Sequence, residues 1–324
     1  MSPYYINNDI LLFLEKSLRE TVISFLPKKE IILLPPDYSQ VNTSEVFYDY
    51  IFAIEKLLNT HVIPGQYSPK YSTKIITLFG DDTIKEVINK KIKYFKVGDS
   101  KINDKSSNVL PKSSYRYFND VFHGKKKRYE IDYVCDAYGI RHCHLYAQND
   151  DHLLFYVLAN KDILLLNTGN HKSIYENNNL RILINEFPEY LNILGIQELS
   201  GIDPGIEESG ELQKLAWEKN VSNLASIDGK TYSPSMASFK TFSGVNLAVQ
   251  NIFQNIIYQI NNAITEITNS LGKKHNLFVK KAKSKLALKN GIIFIGDRIT
   301  NKEWSIYIPY FKKFGLIEMI ISSH

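Results

Sequence analysis

The stretch "GIRHCHLYAQNDDHLLFYVLANKDILLLNTGNH", residues 139–171, decides the fold because it contains three consecutive segments with the character of strands. Segments 140–147, 152–159 and 162–169 each have the usual length of a β-strand. Connections of two to four residues join them, which is too short for the crossover that parallel strands require. The stretch therefore predicts an antiparallel meander.

The flanks of this stretch mix helices and strands. Helical spacing of apolar residues covers 10–18 and 46–58, and "EIILLPP" and "KIITLFG" (74–80) have the composition of short buried strands. A helix is predicted after Asp81, a second one from about residue 176 with an interruption at Pro188, and a long one over 245–271. These patterns predict an α+β protein with an N-terminal α/β region (1–98), a polar linker (99–113), a central domain (114–190) and a mainly helical C-terminal region (191–324).

Composition limits the class of protein. The 324 residues are 44% hydrophobic and 23% charged, as in ordinary folded proteins, and the net charge of +5 is a weak indication of an anionic partner. Two cysteines, Cys135 and Cys143, are too few for a disulfide framework. No signal peptide is visible, and charges interrupt every apolar run before it reaches the length of a bilayer crossing. We therefore expect a cytoplasmic protein without a membrane segment.

The histidines are the unusual feature of the central stretch, which holds four of the eight in the chain. Because side chains alternate along a strand, His142 and His144 should share one face of the sheet. The predicted cluster contains His142, His144, Asp150 or Asp151, Tyr156, His171 and Tyr175. Three interpretations remain open from the residues alone: general acid and base catalysis on a phosphodiester, a zinc site, or polar residues with a purely structural role.

The same segment resembles the RelE/ParE superfamily of toxins, and specifically the YafQ-like mRNA interferases. Their core has the approximate pattern G-x-R-x-C-H-(I/L), then Asp, then L-L-x-Y, then T-G-(T/S)-H and an aromatic residue. The matching positions are Gly139, Arg141, Cys143, His144 and Leu145, then Asp150 and Asp151, then Leu153, Leu154 and Tyr156, then Thr168, Gly169, His171 and Tyr175. The interval from His144 to the two aspartates is two or three residues longer than in the toxins.

The resemblance implies a central RelE-like antiparallel sheet with flanking helices, and metal-independent cleavage of mRNA without a cofactor. It implies that His144 and His171 are catalytic, that Asp150 or Asp151 supplies the carboxylate, and that Tyr175 replaces a phenylalanine. The role of His142 follows only from its position on the same face. The partners implied are RNA, the ribosome, and an antitoxin of protein or nucleic acid, in a bacterial toxin–antitoxin or phage-defence system.

Basic residues are the candidates for contacts with RNA phosphates. The candidates are Lys125, Lys126, Lys127, Arg128 and Arg141. An alternative function is a catalytically silent RelE-like module that binds nucleic acid or a protein, with a further basic surface at Lys280, Lys281, Lys283 and Lys285. The long helix at 245–271 is also compatible with a homo-oligomer.

Overall fold

The computed structural model describes residues 8–24, 51, 54–55, 66–97, 133–146, 151–203, 209–212, 215, 224–235, 247–271 and 275–316. The α-helices in these ranges are α1 (Asn8–Ser24), α2 (Thr73–Leu78), α3 (Asp82–Val97), α4 (Tyr133–Tyr138), α5 (Asn177–Glu186), α6 (Leu191–Leu194), α7 (Leu247–Leu271) and α8 (Lys281–Ala287). The strands are β1 (Ser68–Tyr71), β2 (Ile140–His144), β3 (Leu153–Ala159), β4 (Asp162–Gly169), β5 (Gln197–Leu199), β6 (Ala225–Ile227), β7 (Lys230–Ser233), β8 (Leu277–Val279), β9 (Ile292–Asp297) and β10 (Glu303–Tyr307). The fold is α+β, as predicted, with a mainly helical C-terminal region.

These elements form two compact units, each assembled from separate segments of the chain. One unit contains α1, most of α7, α8 and strands β8–β10. The other contains strands β1–β7 and helices α2–α6. The predicted regions follow one another along the chain, whereas β1, α2 and α3, from the predicted N-terminal region, belong to the same unit as the central strands.

The four-stranded sheet of this second unit has the order β1-β4-β3-β2. β2 pairs with β3 and β3 with β4, both antiparallel, which confirms the predicted meander. β1 adds a parallel strand beside β4, with Ser68 opposite Asp162. A register irregularity between Phe155 and Tyr156 interrupts the pairing of β3 with β4.

Each face of the four-stranded sheet packs on a different hydrophobic core, because both faces of its central strands are apolar. On one face, α2 and α3 contribute Ile75, Ile88, Ile92 and Phe95. On the other face, α4 and α5 contribute residues such as Tyr138, Leu180 and Leu183. Residues 153–159 and 163–166 are buried apart from the partly exposed Leu158, so the sheet is a rigid support for the turn that follows β4.

The strand predicted at 74–80 is wrong, because residues 73–78 form helix α2. Ser72 caps this helix, and its side chain accepts a hydrogen bond from the backbone N–H of Ile75. Ile75 is buried whereas Ile76 is exposed. Only Ile75 of this pair therefore packs against the sheet. The helix predicted after Asp81 is confirmed as α3, and the Asp81 carboxylate accepts from the N–H groups of Thr83 and Ile84.

The remaining elements of the second unit cover one face of the sheet. The predicted helix from residue 176 is confirmed as α5, and the interruption at Pro188 is a 3-10 turn that leads into α6. A small antiparallel sheet of order β5-β7-β6 follows, and Ala225, Ile227 and Tyr232 join the core beneath α5.

The first unit combines two long helices with an antiparallel sheet of order β10-β9-β8. The predicted helices at 10–18 and 245–271 are confirmed as α1 and α7. α1 packs against β8, and the side chain of Asp9 accepts a hydrogen bond from the N–H of Val279. In the part of the chain that the structure describes, no helix combines the length and the apolar character that crossing a membrane requires.

Candidate active site

Strand pairing brings the two strand histidines toward the end of β4. His142 lies opposite Phe155 of β3, and His144 lies opposite Leu153. Leu153 in turn lies opposite Gly169 at the end of β4. His144, Leu153 and Gly169 therefore form one row across three strands, and the turn after Gly169 begins at the level of His144.

A capped 3-10 turn over His171–Tyr175 follows β4. The side chain of Asn170 accepts hydrogen bonds from the N–H groups of Lys172 and Ser173, and Ser173 Oγ accepts from the N–H of Asn170. These reciprocal bonds form a capping box, which satisfies backbone groups that a free turn would leave to water. The box fixes His171 at the first position of the turn.

The turn also depends on the absence of a side chain at Gly169. A Cβ atom there would lie 2.9 Å from Ser173 Oγ and 3.1 Å from a ring carbon of Phe155. The first contact is shorter than real Cβ atoms show and the second is tighter than most, so a larger residue would require the side chains of Ser173 and Phe155 to shift. Glycine therefore allows His171 to approach the sheet.

His171 and Asp151 form a hydrogen-bonded pair. His171 Nδ1 lies 2.5 Å from Asp151 Oδ1, and the backbone N–H of His171 donates to the same oxygen at 3.0 Å. These two bonds hold the pKa of Asp151 below its usual value, so the carboxylate is ionised at neutral pH. An ionised Asp151 can only accept, so Nδ1–H of His171 donates the hydrogen bond, and the neutral tautomer of the ring then has its lone pair on Nε2.

His142 and His144 lie against His171. The centroid of the His171 ring is 5.4 Å from that of His144 and 6.3 Å from that of His142. We call His142, His144, His171 and Asp151 the histidine cluster. His171 is half exposed, at 49% of its side chain, whereas His142 and His144 are each only 5% exposed. The cluster thus offers one accessible imidazole above two largely buried ones.

Burial has a strong effect on His142. Loss of hydration, followed by the charges of His171 and His144, lowers the pKa of His142 to about 3. The ring also packs against Phe155, with centroids 6.1 Å apart. At neutral pH His142 is therefore uncharged and cannot be the proton donor of an acid–base pair.

Two predicted residues lie on the opposite face of the sheet. Tyr156 pairs with Arg141 across β2 and β3. Side chains alternate along a strand, so Arg141 and Tyr156 point to the face opposite His142 and His144. The ring of Tyr156 is buried against Phe95 of α3, with centroids 5.0 Å apart. The expectation that Tyr156 lies on the side of the histidines is corrected by this register, and Arg141 is likewise on the other face.

The other predicted residues have different locations. Tyr175 ends the 3-10 turn and packs, half-buried, on the core beneath it. Of the two aspartates, Asp151 holds His171, whereas Asp150 lies outside the described residues. Residues 125–128, the basic segment, also lie outside them.

The sequence reasoning did not identify the residues that support His171. Asn170 and Ser173 form the capping box, and the spacing of an Asn and a Ser three residues apart after a strand was the available signal. Gly169 was included only as part of the family pattern. The role of Gly169 depends on its contacts with Phe155 and Ser173, and the sequence alone does not show that these residues are neighbours in space.

The zinc interpretation receives no geometric support from the histidine cluster. In the described ranges, no group of three or more His, Cys, Asp or Glu side chains has an arrangement that could hold a metal ion. Nδ1 of His171 faces Asp151 instead. The arrangement is suited to the movement of protons, with a carboxylate that orients an exposed imidazole and a second imidazole beside it.

No protein-family model, curated protein or solved structure matches the chain.

Proposed function

We propose that the protein is an endoribonuclease of the RelE/YafQ-like toxin type, which cleaves RNA with the histidine cluster as its acid and base. The observation that carries the proposal is the His171–Asp151 pair, exposed at the edge of the sheet with the His144 ring 5.4 Å from that of His171. The antiparallel meander between helices supports it as well, because a sheet of this kind is what the family resemblance implies.

The proposed reaction is attack of a ribose 2′-hydroxyl on the adjacent phosphorus. Nε2 of His171 accepts the hydroxyl proton, and Asp151 stabilises the imidazolium that forms. The new P–O bond replaces the bond to the 5′-oxygen, and His144 donates a proton to that leaving oxygen. The products are a 2′,3′-cyclic phosphate and a 5′-hydroxyl, so protons and charge balance between the two histidines.

The buried His142 has a positioning role in this scheme. An uncharged imidazole beneath His171 fills the space between β2 and the turn without adding a second positive charge. Lys172 follows His171 in the turn and is exposed, which makes it a candidate for the contact with the scissile phosphate. RNA is thus the proposed substrate, and the ribosome and an antitoxin remain partners that the resemblance implies.

The test is cleavage of a 5′-labelled RNA by the purified full chain, with His171→Ala, His144→Ala and Asp151→Asn compared with the wild type. Loss of an acid or base should lower the rate constant by about 10²- to 10⁴-fold. His152→Ala is the matched control, because the His152 ring packs on Tyr146 and its charge is only the last of the effects that lower the pKa of Asp151. The wild type should leave a cyclic phosphate, keep its activity in a chelator, and fail to cut a substrate with a 2′-deoxy sugar at the scissile position.

A silent binding module is the second candidate, and the burial of His142 and His144 is the observation that favours it. The same experiment separates the two functions. Growth arrest by the wild type that persists in the His144→Ala, His171→Ala double variant, without RNA cleavage by either protein, would reject the enzyme and leave the binding module.

A further inference from the structure

The C-terminal sheet is strongly basic compared with the whole molecule. Residues 275–316 contain nine lysines and arginines and only two carboxylates, Asp297 and Glu303, whereas the whole chain has a net charge of +5. The rest of the chain is therefore slightly acidic. Such a concentration of positive charge is typical of a surface that binds a polyanion.

Part of this charge is neutralised within the unit. Glu303 accepts hydrogen bonds from Lys280 and Lys283, and Lys285 forms an ion pair with Glu20. Lys281 lies 3.7 Å from Asp9, and Lys313 binds Glu55. Ion pairs therefore hold most of the predicted basic surface, which consists of Lys280, Lys281, Lys283 and Lys285. The charges of Arg298 and Lys312 are more relevant to the binding of a polyanion.

The outer face of the sheet carries aromatic rings. Strand pairing places Phe278 beside Gly296, Phe294 beside Ser305, and Ile292 beside Tyr307 on this face. Val279, Ile295 and Ile306 point to the opposite, buried face. Phe278 and Phe294 are half-buried, and Tyr307 is 52% exposed.

Glycine allows one of these rings to lie on the sheet. A Cβ at Gly296 would come within 2.8 Å of the Phe278 ring. The ring therefore lies across Gly296 instead of standing upright from the strand.

Each ring on the outer face has a cation beside it. Arg298 lies over Phe278 at 5.3 Å from the ring centroid, Lys283 over Phe294 at 4.1 Å, and Lys312 over Tyr307 at 5.2 Å. We call these six residues the basic-aromatic face. A groove of about 530 Å³ adjoins it, lined by Asp9, residues 278–283 and Arg298.

We propose that the basic-aromatic face binds single-stranded RNA, independently of the histidine cluster. Aromatic rings with cations over them suit a flexible strand, because the ammonium and guanidinium groups move from the ring faces to the phosphates as bases stack on the rings in their place. A groove of this volume is in the range that accommodates a small ligand such as one nucleotide. Charge complementarity selects this occupant, since each ring has a cation over it, while the neighbouring carboxylates of Glu303 and Asp9 are already paired with lysines.

The test uses a fluorescein-labelled single-stranded RNA of about twelve nucleotides, with 2′-O-methyl sugars that prevent cleavage through the 2′-hydroxyl. Fluorescence anisotropy with the full chain measures its Kd at several salt concentrations. Tyr307→Ala should weaken binding by about 5- to 150-fold through loss of one stacked base. Lys312→Ala should weaken binding and reduce the slope of log Kd against log salt by about 0.7.

Matched controls are present in the same unit. Tyr258 on α7 is 55% exposed, slightly more than Tyr307 at 52%, so Tyr258→Ala removes a similarly exposed tyrosine from a helix outside the sheet. Lys285→Ala removes a lysine that is paired with Glu20. Both control variants should bind like the wild type, and circular dichroism checks that all variants fold.

Three results would overturn the proposal. They are absence of binding by the wild type, equal weakening by Tyr307→Ala and Tyr258→Ala, and binding of a double-stranded RNA as tightly as the single strand. Because the probe cannot be cleaved, this experiment gives its answer whether or not the histidine cluster is catalytic.

Discussion

A buried imidazole controls how the second unit responds to acid. The pKa of His142 is about 3 in the folded protein and about 6.5 in an unfolded chain. Below pH 6.5 the unfolded state therefore binds a proton that the folded state does not. The stabilising contribution of the neutral His142 is complete above pH 6.5 and is lost as the pH falls toward 3.

His142→Gln should reduce the dependence of the unfolding free energy on pH under acidic conditions. If the unfolded state binds one proton more than the folded state, the unfolding free energy changes by about 1.4 kcal/mol per pH unit. Between pH 6.5 and 4.5, the slope of the variant should be smaller than that of the wild type by up to this amount. Urea unfolding at several pH values measures it. The exposed His152→Gln should keep the slope of the wild type, and an equally steep curve for His142→Gln would contradict the assignment.

At the level of elements, the meander and the long helices were predictable from local patterns. Segments 153–159 and 162–169 are apolar runs of strand length, and α7 has a clear helical period. Helix α2 was not predictable in this way, because its side-chain cap at Ser72 overrides a short apolar run that also suits a strand. The face of Tyr156 depends on the register of β2 against β3, which alternation alone does not specify.

The turn that carries His171 should be sensitive to its cap. Asn170→Ala removes the acceptor for two backbone N–H groups, and we expect a loss of about 1 kcal/mol in unfolding free energy. Because the cap also positions His171, RNA cleavage should fall by up to about 100-fold. Urea unfolding and the cleavage assay measure the two effects.

Serine at this position is the conservative comparison. Asn170→Ser retains a side-chain oxygen for the same N–H groups and should restore most of the stability and the activity. An alanine variant that is destabilised but cleaves RNA at the rate of the wild type would show that the turn does not position the catalytic imidazole.

At the level of the molecule, long-range pairing joins parts of the chain that are far apart in sequence. β1 pairs with β4, and Asp9 on α1 accepts from Val279 on β8. Local patterns contain no information about such contacts, so the two discontinuous units were beyond sequence reasoning. The two units also carry the two proposed activities, the histidine cluster in one and the basic-aromatic face in the other.

The two activities should separate by mutation. His171→Ala should lose cleavage yet bind the 2′-O-methyl oligonucleotide with the Kd of the wild type. Tyr307→Ala should bind the oligonucleotide weakly yet cleave a dinucleotide at the rate of the wild type, since one phosphodiester is all that the acid and base require. Loss of both activities in either folded variant would contradict separate sites.

The missing side chain at Gly169 gives a criterion for recognising related sequences. A chain that carries histidines at the positions of His142, His144 and His171 preserves this geometry only with glycine at the end of the third meander strand, because Ser173 and Phe155 occupy the space of a Cβ. Among distant homologues, this glycine should therefore vary together with the histidine that follows it. Lineages that have lost these histidines are expected to accumulate larger residues there.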